Sequence, residues 1–202
     1  MNSKPILKQK RAKALTKETL LKSRIRKEIR EKLNRQSNTQ RLRKSHLIKD
    51  KLFNLAEFKK AKCVMFYIAT DKEVETRFMI VAAKTLGKKV VVPVILEGAK
   101  RIIASLSEDF EKELSPGPFG ILQPQKKYIR EISNKKIDLV VVPGLAFDRQ
   151  SKRLGRGRGY YDKFLAGLSP ATARIGLAFD FQFFKKLPFL SHDVPVHRVI
   201  SA

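Results

Sequence analysis

A chain of 202 residues with 43% hydrophobic content supports one domain with a sizeable core and is short for two, and its single cysteine, Cys63, excludes an internal disulfide. No apolar run approaches the roughly 20 residues that span a bilayer, and the N-terminus lacks the apolar stretch of a secretory signal, so a cytoplasmic protein without membrane partners is expected. The formal charge of +25 is concentrated early, with 21 of the 44 Lys and Arg but only 5 of the 19 Asp and Glu preceding Cys63; such an excess attracts polyanions, whether nucleic acid, acidic lipid surface or phosphorylated small molecule.

Residues 1–18 are basic with little apolar content and read as a flexible extension, leaving a single domain over 19–202. From Thr19 the pattern changes. Leu21, Ile25, Ile29 and Leu33 recur every four residues and predict a helix with one stripe toward a core. Lys22, Arg26 and Arg30 repeat the spacing one position later, lining the flank of that stripe with cations. A second helix is predicted from about Thr39 to Phe58, capped by Ser37 or Thr39 and carrying Leu42, Leu47, Leu52 and Leu55 inward. Beyond Lys62, short β-branched runs alternate with helical stretches: strands at Cys63 to Ile68, Lys89 to Ile95, Ile137 to Val142 and Arg174 to Phe179, and helices at Val74 to Leu86 and Asp162 to Leu168. Strands without polar alternation, joined by helices, predict a three-layer α/β/α fold around a mostly parallel sheet. In such sheets ligands bind beyond the carboxyl ends of the strands, which points to the loops after Ile68, Val92, Val142 and Phe179. Cys63, inside an apolar strand, reads as a buried hydrophobe.

The chemistry gathers in one segment. After the strand ending at Val142 come Pro143-Gly144-Leu145-Ala146-Phe147-Asp148 and then Arg153-Leu154-Gly155-Arg156-Gly157-Arg158-Gly159-Tyr160-Tyr161-Asp162. Alternate glycines before a helix let backbone N–H groups approach an anion, and the intervening arginines add forked donors suited to phosphate or carboxylate. Two tyrosines offer ring faces to a flat heterocycle, and Asp162 offers a hard oxygen to Mg²⁺. The same Arg-Gly alternation also occurs in RNA-binding tracts, so the run by itself fits either partner.

These residues resemble the signature of the 5-formyltetrahydrofolate cyclo-ligase family, also called 5,10-methenyltetrahydrofolate synthetases. The resemblance runs from about Lys22 to near the C-terminus and includes Lys22-Ser23-Arg24-Ile25-Arg26, Glu73-Val74-Glu75-Thr76, Phe119-Gly120-Ile121 and His192-Asp193-Val194-Pro195. It implies conversion of 5-formyltetrahydrofolate, with MgATP, into 5,10-methenyltetrahydrofolate, ADP and phosphate. By motif, Lys22, Ser23, Arg24, Ile25 and Arg26 contact ATP phosphates, and Arg153, Leu154, Gly155, Arg156, Gly157, Arg158, Gly159, Tyr160 and Tyr161 wrap the nucleotide. Ile68 and Glu73 touch the folate together with Arg156 to Tyr160. Asp162 and Asp193 serve Mg²⁺, and Arg156, Arg158 and Lys22 neutralise the transferring phosphoryl group.

An N-formyl group is amide-like, so its oxygen leaves only once phosphorylated, and N10 of the same folate is then the attacking group. That route needs positioning and charge neutralisation but no enzyme nucleophile, which fits a site rich in Arg, Lys and Gly. Two departures stand out: Ser151 where the family often has glycine, and His197 where many members carry an acidic residue. The second leaves open a relative that keeps the fold with lost or altered activity. A nucleic-acid-binding protein is the alternative of another class; in the enzyme reading, nucleic acid is held only non-specifically by the basic N-terminal region, and the chain is expected to be a monomer.

Overall fold

In the computed structural model, residues 4–70 and 72–202 are described, with side chains from Lys17 onward, and the chain opens with two successive helices, α1 (Lys4–Arg35) and α2 (Asn38–Asn54). Ser37 Oγ accepts from Gln40 N at 3.2 Å and Gln40 Oε1 accepts from Ser37 N at 3.3 Å, a reciprocal capping box that starts α2. α1 begins well before Thr19, because apolar spacing reports which residues meet the core rather than where helical hydrogen bonding starts. The extension expected over 1–18 lies, apart from Lys17 and Glu18, outside the residues whose side chains are described.

The buried stripe of α1 is Lys22, Ile25, Ile29 and Leu33, whereas Leu21 faces solvent. One residue separates the two choices, and the carboxylate of Asp193 decides it by taking Lys22 Nζ as partner. On α2 the buried residues are Ser45, Ile48 and Leu52, and Leu47 is exposed. The expected single helix to Phe58 is broken by an extended Leu55, after which α3 (Ala56–Lys60) turns Phe58 inward against Phe53.

The remaining elements are β1 (Cys63–Met65), α4 (Arg77–Thr85), β2 (Lys89–Leu96), β3 (Arg101–Leu106), α5 (Phe110–Glu113), β4 (Leu114–Pro116), β5 (Leu122–Pro124), β6 (Leu139–Val142), β7 (Ala146–Asp148), β8 (Arg153–Leu154), α6 (Tyr160–Ala166), β9 (Ala173–Ala178), β10 (Phe183–Phe184) and β11 (Arg198–Ser201). Six of these strands form the main sheet in the order β11-β9-β6-β1-β2-β3, parallel throughout except for the β2–β3 hairpin. The two edge strands, β3 and β11, were not expected. β3 has only the short apolar run Ile102-Ile103-Ala104 after a charged residue and meets a single bridge, Ser105 to Glu131, on its outer side, and β11 has only four residues, so neither shows the long apolar run that marks an interior strand.

Alternate residues of the central strands enter two different cores. Val64, Leu139 and Val141 pack with Ile25, Ile29, Ile48, Leu52 and Ile80 from α1, α2 and α4, while Met65, Val140 and Val142 pack with Phe164, Leu165 and Leu168 at and beyond α6. The sheet is covered on both faces, as its uninterrupted apolar strands require. The chain leaves β1 outward through β2 and β3, then returns to place β6 on the other side of β1. Connections therefore depart in opposite directions between β1 and β6, opening a crevice at their carboxyl ends.

Candidate active site

A cleft of about 700 Å³ opens at that reversal. The loop after β1 contributes Ile68, Thr70 and Glu73, the turn after β6 contributes Pro143 and Gly144, and Pro93 and Ile95 line it from within β2, which continues to Leu96. The residues that directly follow Phe179 do not line it. Leu190, His192 and Asp193, ahead of β11, stand there instead, because the unforeseen edge strand carries the chain back past the cleft.

The wall after β1 is rigid although it lacks ladder pairing. Thr76 Oγ1 donates to Tyr67 O at 2.7 Å and accepts from Ala69 N at 3.1 Å, while Tyr67 Oη donates to Val74 O at 3.0 Å. These bonds tie Tyr67 and Ala69 to Val74 and Thr76, and α4 starts at Arg77 rather than at Val74. Arg41 of α2 reaches Glu73 O at 3.3 Å and Glu75 Oε2 at 3.2 Å from behind. Burial, then the nearby carboxylate of Glu73, pushes the Tyr67 phenol well above its ordinary range, so it is a fixed donor at physiological pH.

Opposite stands the glycine-rich loop. Gly157, at φ 103°, and Gly159, at φ 72°, adopt backbone conformations that disfavour other residues, and a Cβ on Gly157 would lie 3.3 Å from the Arg26 guanidinium carbon. Arg26 Nε also donates to Gly155 O at 2.9 Å, so α1 and the loop form one surface. Arg153, 2% exposed, donates to Asp162 Oδ1 at 2.6 Å, and Arg156 Nη2 donates to Glu73 Oε1 at 2.8 Å across the cleft. The Arg158 guanidinium sits 3.9 Å from the centre of the Phe119 ring, beside Tyr160. α6 has only seven residues, so side-chain cations rather than a helix N-terminus carry the positive field here.

Of the expected nucleotide residues, Lys22 and Arg26 line the cleft together with Arg153 to Tyr161, whereas Ser23 and Arg24 are exposed and do not line it, and Ile25 is in the core. Ile68 and Glu73 stand on the opposite wall. Arg30, Thr70, Phe119 and His192 line the cleft without having been assigned to it. Arg30 repeats the spacing of Lys22 and Arg26, and Phe119 and His192 belong to motifs shared with the family, so all three had a signal; Thr70 had none. Six cations meet three carboxylates, Glu73, Asp162 and Asp193, which leaves the cleft positive. Burial and the neighbouring Arg30 lower the Arg26 pKa, while Asp193 and Asp162 oppose the shift.

Asp162 Oδ1 accepts from Arg153 and from Val194 N, and Asp193 Oδ2 accepts from Lys22 and, at 2.7 Å, from Leu190 N. Among the described residues neither Asp162 Oδ2 nor Asp193 Oδ1 takes a hydrogen bond, and no group of three or more His, Cys, Asp or Glu gathers for a metal. Asp193 Oδ1 lies 3.8 Å from His192 Nε2, and two carboxylates that each keep an oxygen without a hydrogen bond beside a positive cleft suit Mg²⁺, which takes one or two carboxylates and fills its remaining positions with phosphate and water. No cysteine or serine lines the cleft among the described residues, so a Ser-His or Cys-His pair has no counterpart. His46 stacks on Phe78, and His197 Nδ1 accepts from Arg174 N at 3.2 Å outside the cleft, so the acidic-to-histidine departure does not reach Asp162 or Asp193. Ser151 has φ 58°, which explains why glycine is usual there. Burial pushes the Cys63 thiol up to about 11, consistent with a packing role. No described helix is long and apolar enough to cross a membrane.

The family model for the "5-formyltetrahydrofolate cyclo-ligase family" matches residues 18–202. The 5-formyltetrahydrofolate cyclo-ligase of Mus musculus is 31% identical over 186 residues, covering 87% of this chain and 91% of that protein. The NMR structure of Aquifex aeolicus 5,10-methenyltetrahydrofolate synthetase superposes with a TM-score of 0.78 at 32% identity, over 90% of this chain and 89% of that one. A 5,10-methenyltetrahydrofolate synthetase from Mycoplasma pneumoniae, 24% identical, shares the fold with a TM-score of 0.71 over 89% of this chain and 97% of that one. With a positive cleft at the sheet's switch point and agreement over nearly the whole chain, the protein belongs to the 5-formyltetrahydrofolate cyclo-ligase family, enzymes that use ATP as co-substrate.

Proposed function

We propose that this cleft cyclises 5-formyltetrahydrofolate to 5,10-methenyltetrahydrofolate, with the nucleotide held between α1 and the glycine-rich loop and the folate against the Ile68–Glu73 wall. The observation that carries the assignment is the junction of the two basic regions, where Arg26 donates to Gly155 O and packs on Gly157. It places Lys22, Arg26, Arg153, Arg156 and Arg158 around one space large enough for two ligands.

In this reading the loop and α1 orient the γ-phosphoryl group toward the formyl oxygen. As the P–O bond to ADP breaks, the bond to the formyl oxygen forms and the formyl carbon becomes an iminium centre. N10 attacks that carbon, loses its proton, and phosphate departs with the former formyl oxygen. Lys22, Arg156 and Arg158 neutralise the charge on the phosphoryl oxygens, and Tyr160 and Tyr161 flank the ligands. Asp162 and Asp193 would hold Mg²⁺ through the oxygens that take no protein hydrogen bond, and the ion would supply charge neutralisation on the phosphates.

The test is the absorbance of methenyltetrahydrofolate formed from 5-formyltetrahydrofolate, followed with MgATP, with ATP plus chelator, and without nucleotide. Product only in the first condition supports the reading. Tight binding of both ligands without product would identify a relative that keeps the fold but has a changed activity. Affinity for RNA that survives physiological salt, with no affinity for either small ligand, would favour the nucleic-acid reading.

A further inference from the structure

Glu73 after β1 and Arg156 of the glycine-rich loop form a closed set of three side chains with Thr70, a residue that belongs to neither motif. Glu73 Oε2 accepts from Thr70 N at 3.0 Å and from Thr70 Oγ1 at 3.1 Å, and Glu73 Oε1 accepts from Arg156 Nη2 at 2.8 Å and Nε at 3.3 Å. Arg156 Nη2 also donates to Thr70 Oγ1 at 3.1 Å. The threonine hydroxyl has one proton and two lone pairs, and here it gives the proton to Glu73 while a lone pair receives Arg156.

We infer that Thr70 is a positioning residue for the substrate side of the cleft, its hydroxyl aligning Glu73 and Arg156 before the folate arrives. The inference rests on the folate contacts proposed for Glu73 and Arg156; because Arg156 is also assigned to the phosphoryl group, kcat is the readout that separates its two roles. Without the hydroxyl, the Arg156 side chain, 52% exposed and flanked by glycines, would be joined to Glu73 by an ion pair of the kind that holds geometry poorly in water. The Thr70 hydroxyl and N–H instead tie one carboxylate oxygen to a loop already fixed by Tyr67 and Thr76. Oε1 is thereby left as the oxygen shared between Arg156 and a donor group of the ligand. Ordering the pair in advance removes a cost that binding would otherwise carry, so the effect falls on ground-state affinity for the folate.

Thr70→Val keeps the branched shape and the backbone donor and removes only the hydroxyl. It is expected to raise the KM for 5-formyltetrahydrofolate about tenfold, as for loss of a hydrogen bond to a charged group, with kcat and the KM for ATP within about threefold. Thr70→Ser should restore the folate KM to within about threefold. In an Arg156→Ala background the Val substitution should add less than about threefold, because the aligned pair is already gone. A variant that merely destabilised the fold would reduce the active fraction and hence kcat, leaving KM unchanged. An unchanged folate KM in Thr70→Val, a fall confined to kcat, or failure of serine to rescue overturns the inference. Calorimetric binding of 5-formyltetrahydrofolate separates it from the assignment of activity. If the wild-type chain binds the folate without converting it, the activity reading fails, while the ratio of dissociation constants for Thr70→Val and wild type still decides the role of Thr70. If the wild-type chain does not bind the folate, both fail.

Discussion

Lys22 and Arg26 reach the cleft from a helix, whereas Arg153, Arg156 and Arg158 reach it from the short strand β8 and the loop after it, and the two sets are held in place differently. On α1, Ile25, Ile29 and Leu33 anchor one face in the core, and the four-residue spacing then aims both cations at the same space. In the loop each arginine depends on a residue from another element: Arg153 on Asp162, Arg156 on Glu73 and Thr70, and Arg158 on the Phe119 ring. Local periodicity brings a helical cation to the cleft, although Lys22, like two of the arginines, is also held by a carboxylate, Asp193. A loop cation needs a tertiary partner, and a carboxylate partner competes with the anionic ligand. Arg26, whose one hydrogen-bonded acceptor among the described residues is a backbone carbonyl, is ready for phosphate without such an exchange.

The largest expected effect breaks the loop's buried pair. Arg153→Ala removes the partner of Asp162 from a nearly inaccessible position and should cost about 3–5 kcal/mol of folding stability in urea unfolding. A loss below about 1 kcal/mol would rank Arg153 with exposed cations and remove the distinction between the two regions. Next are the other cations that line the cleft. Arg156→Ala and Arg158→Ala should each lower kcat/KM about 10- to 100-fold, or about 1.5–3 kcal/mol, and Lys22→Ala and Arg26→Ala at least about tenfold. Lys22→Ala carries an extra signature, a loss of stability from leaving Asp193 without its cation, which Arg26→Ala should lack.

Deleting residues 2–17 removes six basic residues and should leave kcat/KM within about threefold. A deletion more damaging than Arg26→Ala would mean that long-range attraction, not the placement of two helical cations, dominates α1's contribution. Ser151→Gly relieves a left-handed backbone in the turn that feeds Arg153 and should stabilise the chain by about 0.5–1 kcal/mol, with kinetics unchanged. The smallest effect concerns the segment that brings Asp193 to Lys22. Burial, and secondarily the charge of Arg174, lower the His197 pKa below its ordinary 6.5, and its Nδ1 accepts a backbone hydrogen bond that protonation would abolish. Because the folded state favours the neutral ring, this stability is complete above about pH 6.5 and is lost as pH falls through the lower folded value. His197→Asn should flatten that part of the stability profile, as read by thermal unfolding between about pH 7 and pH 5.

The parallel interior strands, the cap at Ser37, the phosphate-like loop and the cation spacing on α1 could all be read along the chain, because each depends on residues a few positions apart. Apolar runs at Val64, Leu139 and Ile175 required burial on both faces, and that placed the cleft near the ends of β1 and β6. Other features were decided by residues far apart in sequence. Leu21 and Lys22 are neighbours with equal claim to the first inward position of the stripe, and Asp193, contributed from the far end of the chain, settles it. β11 lacks an interior strand's pattern because an edge is half exposed, and β3 has too short an apolar run; Asp193 was placed at the site by the family resemblance alone, and Leu190 and His192 only by the folded chain. Thr70 is an ordinary loop residue until folding brings Arg156 within reach of its hydroxyl. The sequence by itself determined the elements and the chemical character of the cleft, since helical and strand periods and glycine's backbone freedom are local properties. Only the tertiary structure decided which carboxylate holds which cation, because charge pairing depends on distance in space, and separation along the chain carries no record of it.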